Sequence, residues 1–248
     1  MENPQITITD LNVSYGAIKA LTDINLTIHK GEYLGIIGPN GGGKSTLLKA
    51  ILGLIPYNGN IEKKEAKISY VPQYTLMDRN FPINVSEVVL CGKIKKGFSP
   101  FFRFSDKDIT DSYMLLEKVG LKGFEKRQIN ELSGGEFQKM LIARAVISKP
   151  EILLLDEPTA NIDTSSCANI YDLINDLNKK MTIVLVTHDL FAVSENIKTL
   201  ACLNKTLVYH GTAELNENTV NKLYGCPVDM IAHGAAHRVL SKHTEEHL

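Results

Sequence analysis

The sequence predicts an α/β protein built on a parallel sheet, with an antiparallel β region at its start and a helical insertion near its middle. Three observations predict it. The first sixty residues alternate, and "ITITDLNVSYG" and "ALTDINLTIHKGE" within them show the period of two expected of half-buried strands. The short, nearly all-apolar runs "YLGIIG", "ILLLDEP" and "TIVLVTHD" read as strands buried on both faces. Residues 83–128 carry helical periodicity and no strand candidate.

Along the chain, "ITITDLNVSYG" and "ALTDINLTIHKGE" form the antiparallel strands, and "HKGE" is a turn. "YLGIIG" runs into a glycine-rich loop and then into the helix "KSTLLKAILGL", with helical spacing at Leu47, Leu48, Ile51 and Leu52. "AKISYVPQ" is a strand stopped by Pro72. The insertion holds the helices "NVSEVVLCGKI" and "SDKDITDSYMLLEKVGL"; the aromatic segment "KKGFSPFFRFS" between them supports no assignment. "SGGEFQKMLIARAVISK" is a helix that stops before Pro150. The helix "SCANIYDLINDLNKK" lies between two buried strands, and this β–α–β alternation implies parallel pairing with right-handed crossovers. "TLACLNKTLVYHG" is a hairpin turning near Asn204 and Lys205, followed by a short helix and a His-bearing tail.

The 248 residues suit one large domain or two small lobes. A net charge of −1 gives no reason to expect nucleic-acid binding. The apolar runs fall far short of the ~20 residues of a membrane span, and the N-terminus lacks a secretory pattern. Cys91, Cys167, Cys202 and Cys226 form no CxxC and read as free thiols of a reducing compartment. The chain is expected in the cytosol, tied to a membrane only through partners.

"GPNGGGKST", from Gly38 through Pro39, Asn40, Gly41, Gly42, Gly43, Lys44 and Ser45 to Thr46, matches G-x-x-x-x-G-K-[ST] between a strand and a helix. Glycines let backbone N–H groups turn toward phosphate oxygens, and the helix N-terminus adds partial positive charge. Lys44 then reaches the β- and γ-phosphates and the Ser45 hydroxyl suits Mg²⁺. The bland alternative, a glycine-rich turn with a chance lysine, does not explain the strand and helix on either side. "ILLLDEPTANID" ends an apolar strand in two carboxylates at the sheet edge where α/β folds bind ligands. Asp156 is placed to hold Mg²⁺ and Glu157 to orient or deprotonate water. Alone, such a pair is usually a solvated strand end. Gln73 and His188 end neighbouring strands at the same edge; by themselves both would be unremarkable.

"LSGGEFQK" poses a separate question. Ser133 and Glu136 have capping-box spacing. Gly134 and Gly135 weaken the first helical turn by ~1–2 kcal/mol relative to alanine, so something there needs bare backbone.

Taken together, Tyr15 in "VSYG", "GPNGGGKST", Gln73, "LSGGE", "ILLLDEPTANID" and "VTH" occur in an order that resembles the ATP-binding-cassette (ABC) ATPases over essentially the whole chain. The resemblance implies a RecA-like phosphate-loop core with an antiparallel β lobe, together over 1–82 and 129–230, a helical subdomain over 83–128 and a tail over 231–248. It implies ATP and Mg²⁺ as cofactors and ATP hydrolysis as the activity. By resemblance Tyr15 stacks on adenine, Gln73 senses the γ-phosphate and touches Mg²⁺, Glu157 is the general base, and His188 contacts the γ-phosphate. Two copies face head to tail, so that Ser133, Gly134, Gly135 and Glu136 of one close over the ATP of the other, and Asp163 belongs to the loop that crosses between them. The glycines are then expected to point outward, to a phosphate the same subunit does not hold. Gly42 stands where the family often has alanine, and "ANID" replaces a commoner small-residue-Leu-Asp pattern.

The implied role is the ATPase subunit of an importer, docked on integral membrane permease subunits and served indirectly by an extracytoplasmic substrate-binding protein. "DRNFPINVSEVVLCGK" and "YGCPVDMIAHGAAHRVL" resemble the zinc and manganese importer ATPases. The alternatives are import of a different small solute, or a soluble ABC ATPase of iron–sulfur cluster assembly. In the tail, Cys226, His233, His237, His243 and His247 invite a metal-sensing reading. A helix would put His233 and His237 on one face, but Gly234 interrupts the segment and polar tail histidines are usually solvated.

Overall fold

The computed structural model describes residues 3–73, 78–94, 103–188 and 197–213, and the backbone of two strands at 229–233 and 235–239. The expected short helix after the hairpin and most of "KKGFSPFFRFS" lie outside the described residues, as do Cys226, His243 and His247.

The chain opens with strands β1 (Pro4–Tyr15) and β2 (Ile18–His29), which pair antiparallel. The register of this pair shifts at several points, and two matching stretches, 9–12 and 22–25, make one of the irregularities. Asp10 and Asp23 both take left-handed φ angles, 49° and 50°. The Asp10 N–H donates to the Asn25 side chain at 3.0 Å, and the Asp23 N–H donates to the Asn12 side chain at 3.2 Å. Each bulge is thus closed by a side chain from the other strand.

Next come β3 (Tyr33–Ile37), α1 (Lys44–Leu52), β4 (Asn58–Lys63) and β5 (Ile68–Val71). β4 joins the first sheet in the order β2-β1-β4. The helices α2 (Val85–Cys91) and α3 (Asp106–Lys118) follow, then a 3-10 turn at Ile129–Glu131 and α4 (Gly134–Val146). The rest is β6 (Ile152–Asp156), α5 (Thr164–Asn178), β7 (Thr182–Val186), β8 (Thr199–Asn204) and β9 (Thr206–Thr212). Lys205 makes the β8–β9 turn at φ 59°.

The central sheet has the order β5-β6-β7-β3-β8-β9, parallel except for β9. Every residue of β3, β6 and β7 is buried. The two-residue period divides these strands between two cores. Leu153, Leu155, Ile183 and Leu185 join Phe137, Met140 and the α2–α5 side. Ile152, Leu154, Val184 and Val186 join Leu47, Leu48 and the β1–β2 lobe. The helices of the insertion pack on α4: Val85, Val88 and Val89 share its core, and a Cβ at Gly92 would meet the Arg144 carbonyl.

The tail adopts no helix at His233 and His237. It forms an antiparallel hairpin of β10 (Asp229–His233) and β11 (Ala235–Val239), with Ile231 opposite His237.

Candidate functional site

Strands β3, β5, β6 and β7 end at one edge of the sheet, and the chemistry gathers there. After β3, the chain passes through Gly38 (φ 158°), Gly41 (φ 77°) and Gly43 (φ 95°) before α1 begins. A Cβ at Gly43 would stand 2.5 Å from Leu21 Cδ2 and 2.8 Å from the Ala20 carbonyl, so the bare glycine lets the loop approach the β lobe. Gly42 is also enclosed: a Cβ there would lie 2.9 Å from the carbonyls of both Leu203 and Pro39. The helix that follows, α1, has no side-chain cap. The other described α-helices each have one, from Asn84, Ser105, Ser133 and Asp163. A helix N-terminus leaves several N–H groups without intrahelical partners, and a glycine-lined start leaves them open to an anion.

Lys44 is 6% exposed. Its ammonium donates to the carbonyls of Gly38 (2.9 Å) and Pro39 (3.1 Å) and stands 3.8 Å from Glu157 Oε1. Burial pulls its pKa below the usual lysine value, against the opposing pull of the Glu157 and Asp156 carboxylates.

Asp156, 2% exposed, ends β6. The Ser45 hydroxyl donates to its Oδ1 at 2.9 Å, and the Tyr70 hydroxyl donates to its Oδ2 at 3.0 Å. Burial first, then the Asp156 charge and hydrogen bond, push the Tyr70 phenol above the tyrosine range, so it remains a donor. Mg²⁺ takes near-octahedral oxygen ligands at 2.0–2.1 Å, which sets adjacent ligands ~2.9 Å apart. The separation of Ser45 Oγ and Asp156 Oδ1 matches that spacing, and both are hard oxygen donors. These residues fit the ion.

Glu157 follows with φ 48°, its N–H donating to the Val186 carbonyl at 2.9 Å. That left-handed turn, disfavoured for a residue with a Cβ, lifts its side chain off the strand. Gln73 Nε2 donates to Glu157 Oε2 at 3.1 Å, and His188 Nδ1 lies 3.7 Å from the same oxygen. One carboxylate thus collects Gln73, His188 and Lys44.

A cleft of about 530 Å³ opens over these groups, lined by Tyr15, by residues 40–46, by Gln73 and by Glu157. Tyr15 and Ile18, 48% and 68% exposed, form its apolar wall. Ser133, Gly134, Gly135, Glu136 and Asp163 are not among its lining residues. They form a second group where the N-termini of α4 and α5 meet, and where a Cβ at Gly134 would come into ordinary contact with the Asn161 carbonyl. The Ser133 N–H donates to Glu136 Oε2 at 2.7 Å and the Glu136 N–H to Ser133 Oγ at 3.3 Å, which completes the capping box.

This arrangement matches a known family. The ABC transporter family profile covers residues 21–160.

The chain belongs to the ABC transporter family.

This cassette is 40% identical over 229 residues to the manganese transport system ATP-binding protein MntB of Listeria innocua, covering 88% of the chain and 95% of that protein. It is 38% identical over 221 residues to the zinc uptake system ATP-binding protein ZurA of Listeria monocytogenes, covering 84% and 86%. In structure it resembles an ABC transporter assigned to the metal-chelate type, solved in an inward-facing conformation, at TM-score 0.84 and 29% identity, covering 96% and 97%.

Three features of the cassette were not read from the sequence. Tyr70 appeared only as a strand residue. Lys205 appeared only as part of a turn, yet it lines the cleft, its N–H donates to the Gly42 carbonyl at 2.9 Å, and its carbonyl accepts from Thr22. The third is an internal reason for bare backbone at Gly135. A Cβ at Gly135 would stand 2.8 Å from Ser166 Cβ in the same chain, so its bare backbone is needed for the approach of α4 to α5. Among the described residues no helix is long and apolar enough to cross a membrane, and no cluster of three or more His, Cys, Asp or Glu is placed to hold a metal ion.

Proposed function

We propose that this cassette is the ATP-hydrolysing subunit of an importer for a transition-metal ion, zinc or manganese. It works as a head-to-tail dimer at the cytoplasmic face of the membrane, docked on integral permease subunits that an extracytoplasmic binding protein supplies. The observation that carries the chemistry is the convergence of Gln73, His188 and Lys44 on the Glu157 carboxylate. The names of the relatives support the cargo.

In this reading Tyr15 stacks on adenine, and the backbone from Gly38 to Thr46 receives the phosphates at the uncapped start of α1. Lys44 exchanges the Gly38 and Pro39 carbonyls for β- and γ-phosphate oxygens. Ser45, Asp156 and Gln73 would hold Mg²⁺, which when bound would neutralise charge on the phosphates. Glu157 takes a proton from the water whose oxygen attacks the γ-phosphorus as the bond to the bridging oxygen breaks. Gln73 and His188 orient that carboxylate. Ser133 and the Gly135 N–H of the second copy complete the site, Asp163 crosses between the copies, and the helices of 83–128 form the subdomain that moves with the permease.

The test is uptake of radiolabelled zinc and manganese by cells lacking this chain, complemented with the parent or with Glu157→Gln. Restoration by the parent alone supports the proposal. Normal uptake of both ions without the chain would overturn the cargo assignment and leave a different small solute.

A further inference from the structure

Arg79 lies outside the nucleotide cleft, just ahead of α2. Its Nη2 donates to the carbonyl of Leu132 and to that of Ile129, the latter at 3.4 Å. Its guanidinium carbon stands 4.9 Å from the centroid of the Phe137 ring. Phe137 is fully buried in the first turns of α4. One side chain therefore touches both the residue before Ser133 and the helix that Ser133 caps.

A peptide unit is planar, so the Leu132 carbonyl and the Ser133 N–H turn as one body. Arg79 holds the carbonyl side of that plane, and Glu136 accepts from its N–H side at 2.7 Å. The orientation of Ser133 is gripped from both ends. Helix stability does not call for a cation here, because positive charge near a helix N-terminus opposes the helix dipole. What the guanidinium adds is a permanent positive charge beside a turn read as a phosphate contact.

We propose that Arg79 is a positioning residue for the second half-site: it fixes the Leu132–Ser133 peptide so that Ser133 and the Gly135 N–H meet the ATP of the opposing cassette. The proposal rests on the dimer reading above.

The experiment uses the full chain in a Glu157→Gln background, which under that reading accumulates the ATP-bound dimer. Dimer dissociation constants with ATP and Mg²⁺ come from analytical ultracentrifugation, and binding of a fluorescent ATP analogue is measured at concentrations where the cassettes are separate. Arg79→Gln is expected to bind the analogue within about twofold of the parent but to dimerise about tenfold more weakly. Arg79→Lys, which keeps the charge and loses the planar fork, is expected between the two. Unchanged dimer affinity in Arg79→Gln would overturn the proposal, as would analogue binding lost in parallel with dimerisation in a folded protein. If Arg79→Gln does not fold, the lysine variant decides: a threefold or greater weakening supports the role, and parental affinity overturns it. A parent that fails to dimerise with ATP would instead sink the dimer reading itself.

Discussion

Gly135 of α4 and Ser166 of α5 approach so closely that a Cβ on the glycine would lie 2.8 Å from the serine Cβ and 2.9 Å from its Oγ. The start of the "LSGGE" helix and the helix capped by Asp163 are therefore packed as one unit. In the proposed dimer both contribute to the site of the other copy, so their mutual placement bears on whether that site closes.

Gly135→Ala tests this contact. Alanine gains up to ~1 kcal/mol of helix propensity, but overpacking costs ~1–3 kcal/mol, so a net loss of stability is expected. In a double-mutant cycle, Ser166→Gly removes the obstructing Cβ and the alanine should then cost less. Urea unfolding of the four proteins measures the coupling. Additive effects would show that the contact does not constrain Gly135.

Glu157→Gln keeps shape and removes the base. Turnover is expected to fall by ~10²–10⁴-fold while ATP binding persists, and the variant should elute as a dimer in gel filtration with ATP. Undiminished turnover would count against Glu157 as the base.

Tyr70→Phe removes the donor to Asp156 Oδ2 and leaves the Ser45 contact in place. A hydrogen bond to a charged group contributes ~1.5–3 kcal/mol. The variant should therefore need at least about tenfold more Mg²⁺ for half-maximal ATPase activity, each ~1.4 kcal/mol being a factor of ten. ATP binding in EDTA should be unaltered. A Mg²⁺ dependence identical to the parent's would refute the positioning of Asp156 by Tyr70.

Asp163 carries a pH signature. The Ser165 hydroxyl (2.6 Å) and the Ser166 N–H (2.9 Å) both donate to its carboxylate. They lower its pKa from the usual 3.8 to about 2. A depressed folded-state value means that the ionised form stabilises the fold. That contribution is complete above about 3.8 and is lost as pH falls toward about 2. Asp163→Asn retains a good cap without titrating, so the stability gap between parent and variant should shrink across that interval. Thermal unfolding at about pH 5, 3 and 2 would show it; a constant gap would contradict the assignment.

The strands, the phosphate loop and the carboxylate pair were legible because each is a local pattern. β3, β6 and β7 are short all-apolar runs, and the loop is a contiguous string of glycines with a lysine. The capping box of α4 was legible too, since its partners are three residues apart. Tyr70 and Lys205 were not, because their roles depend on partners far away in the chain, Asp156 and the Gly42 carbonyl. Nor was the internal need for Gly135, since no feature of "LSGGE" says that Ser166 will stand against it. The tail hairpin was not legible, because the pairing of 229–233 with 235–239 had no marked apolar alternation to announce it.

By itself, the sequence determined most of the strands and helices, though not β4 or the tail hairpin, and where the phosphate loop lies and which carboxylates end a buried strand. Those follow from hydrophobic period and from backbone freedom at glycine, which neighbouring residues settle among themselves. Only the tertiary structure decided that Glu157 would gather Gln73, His188 and Lys44, that Asp156 would be held by Ser45 and Tyr70, and that "LSGGE" would sit apart from the cleft beside Asp163. Those relations are set by parallel strand order and by the packing of helices across the sheet, where contacts depend on how distant segments meet.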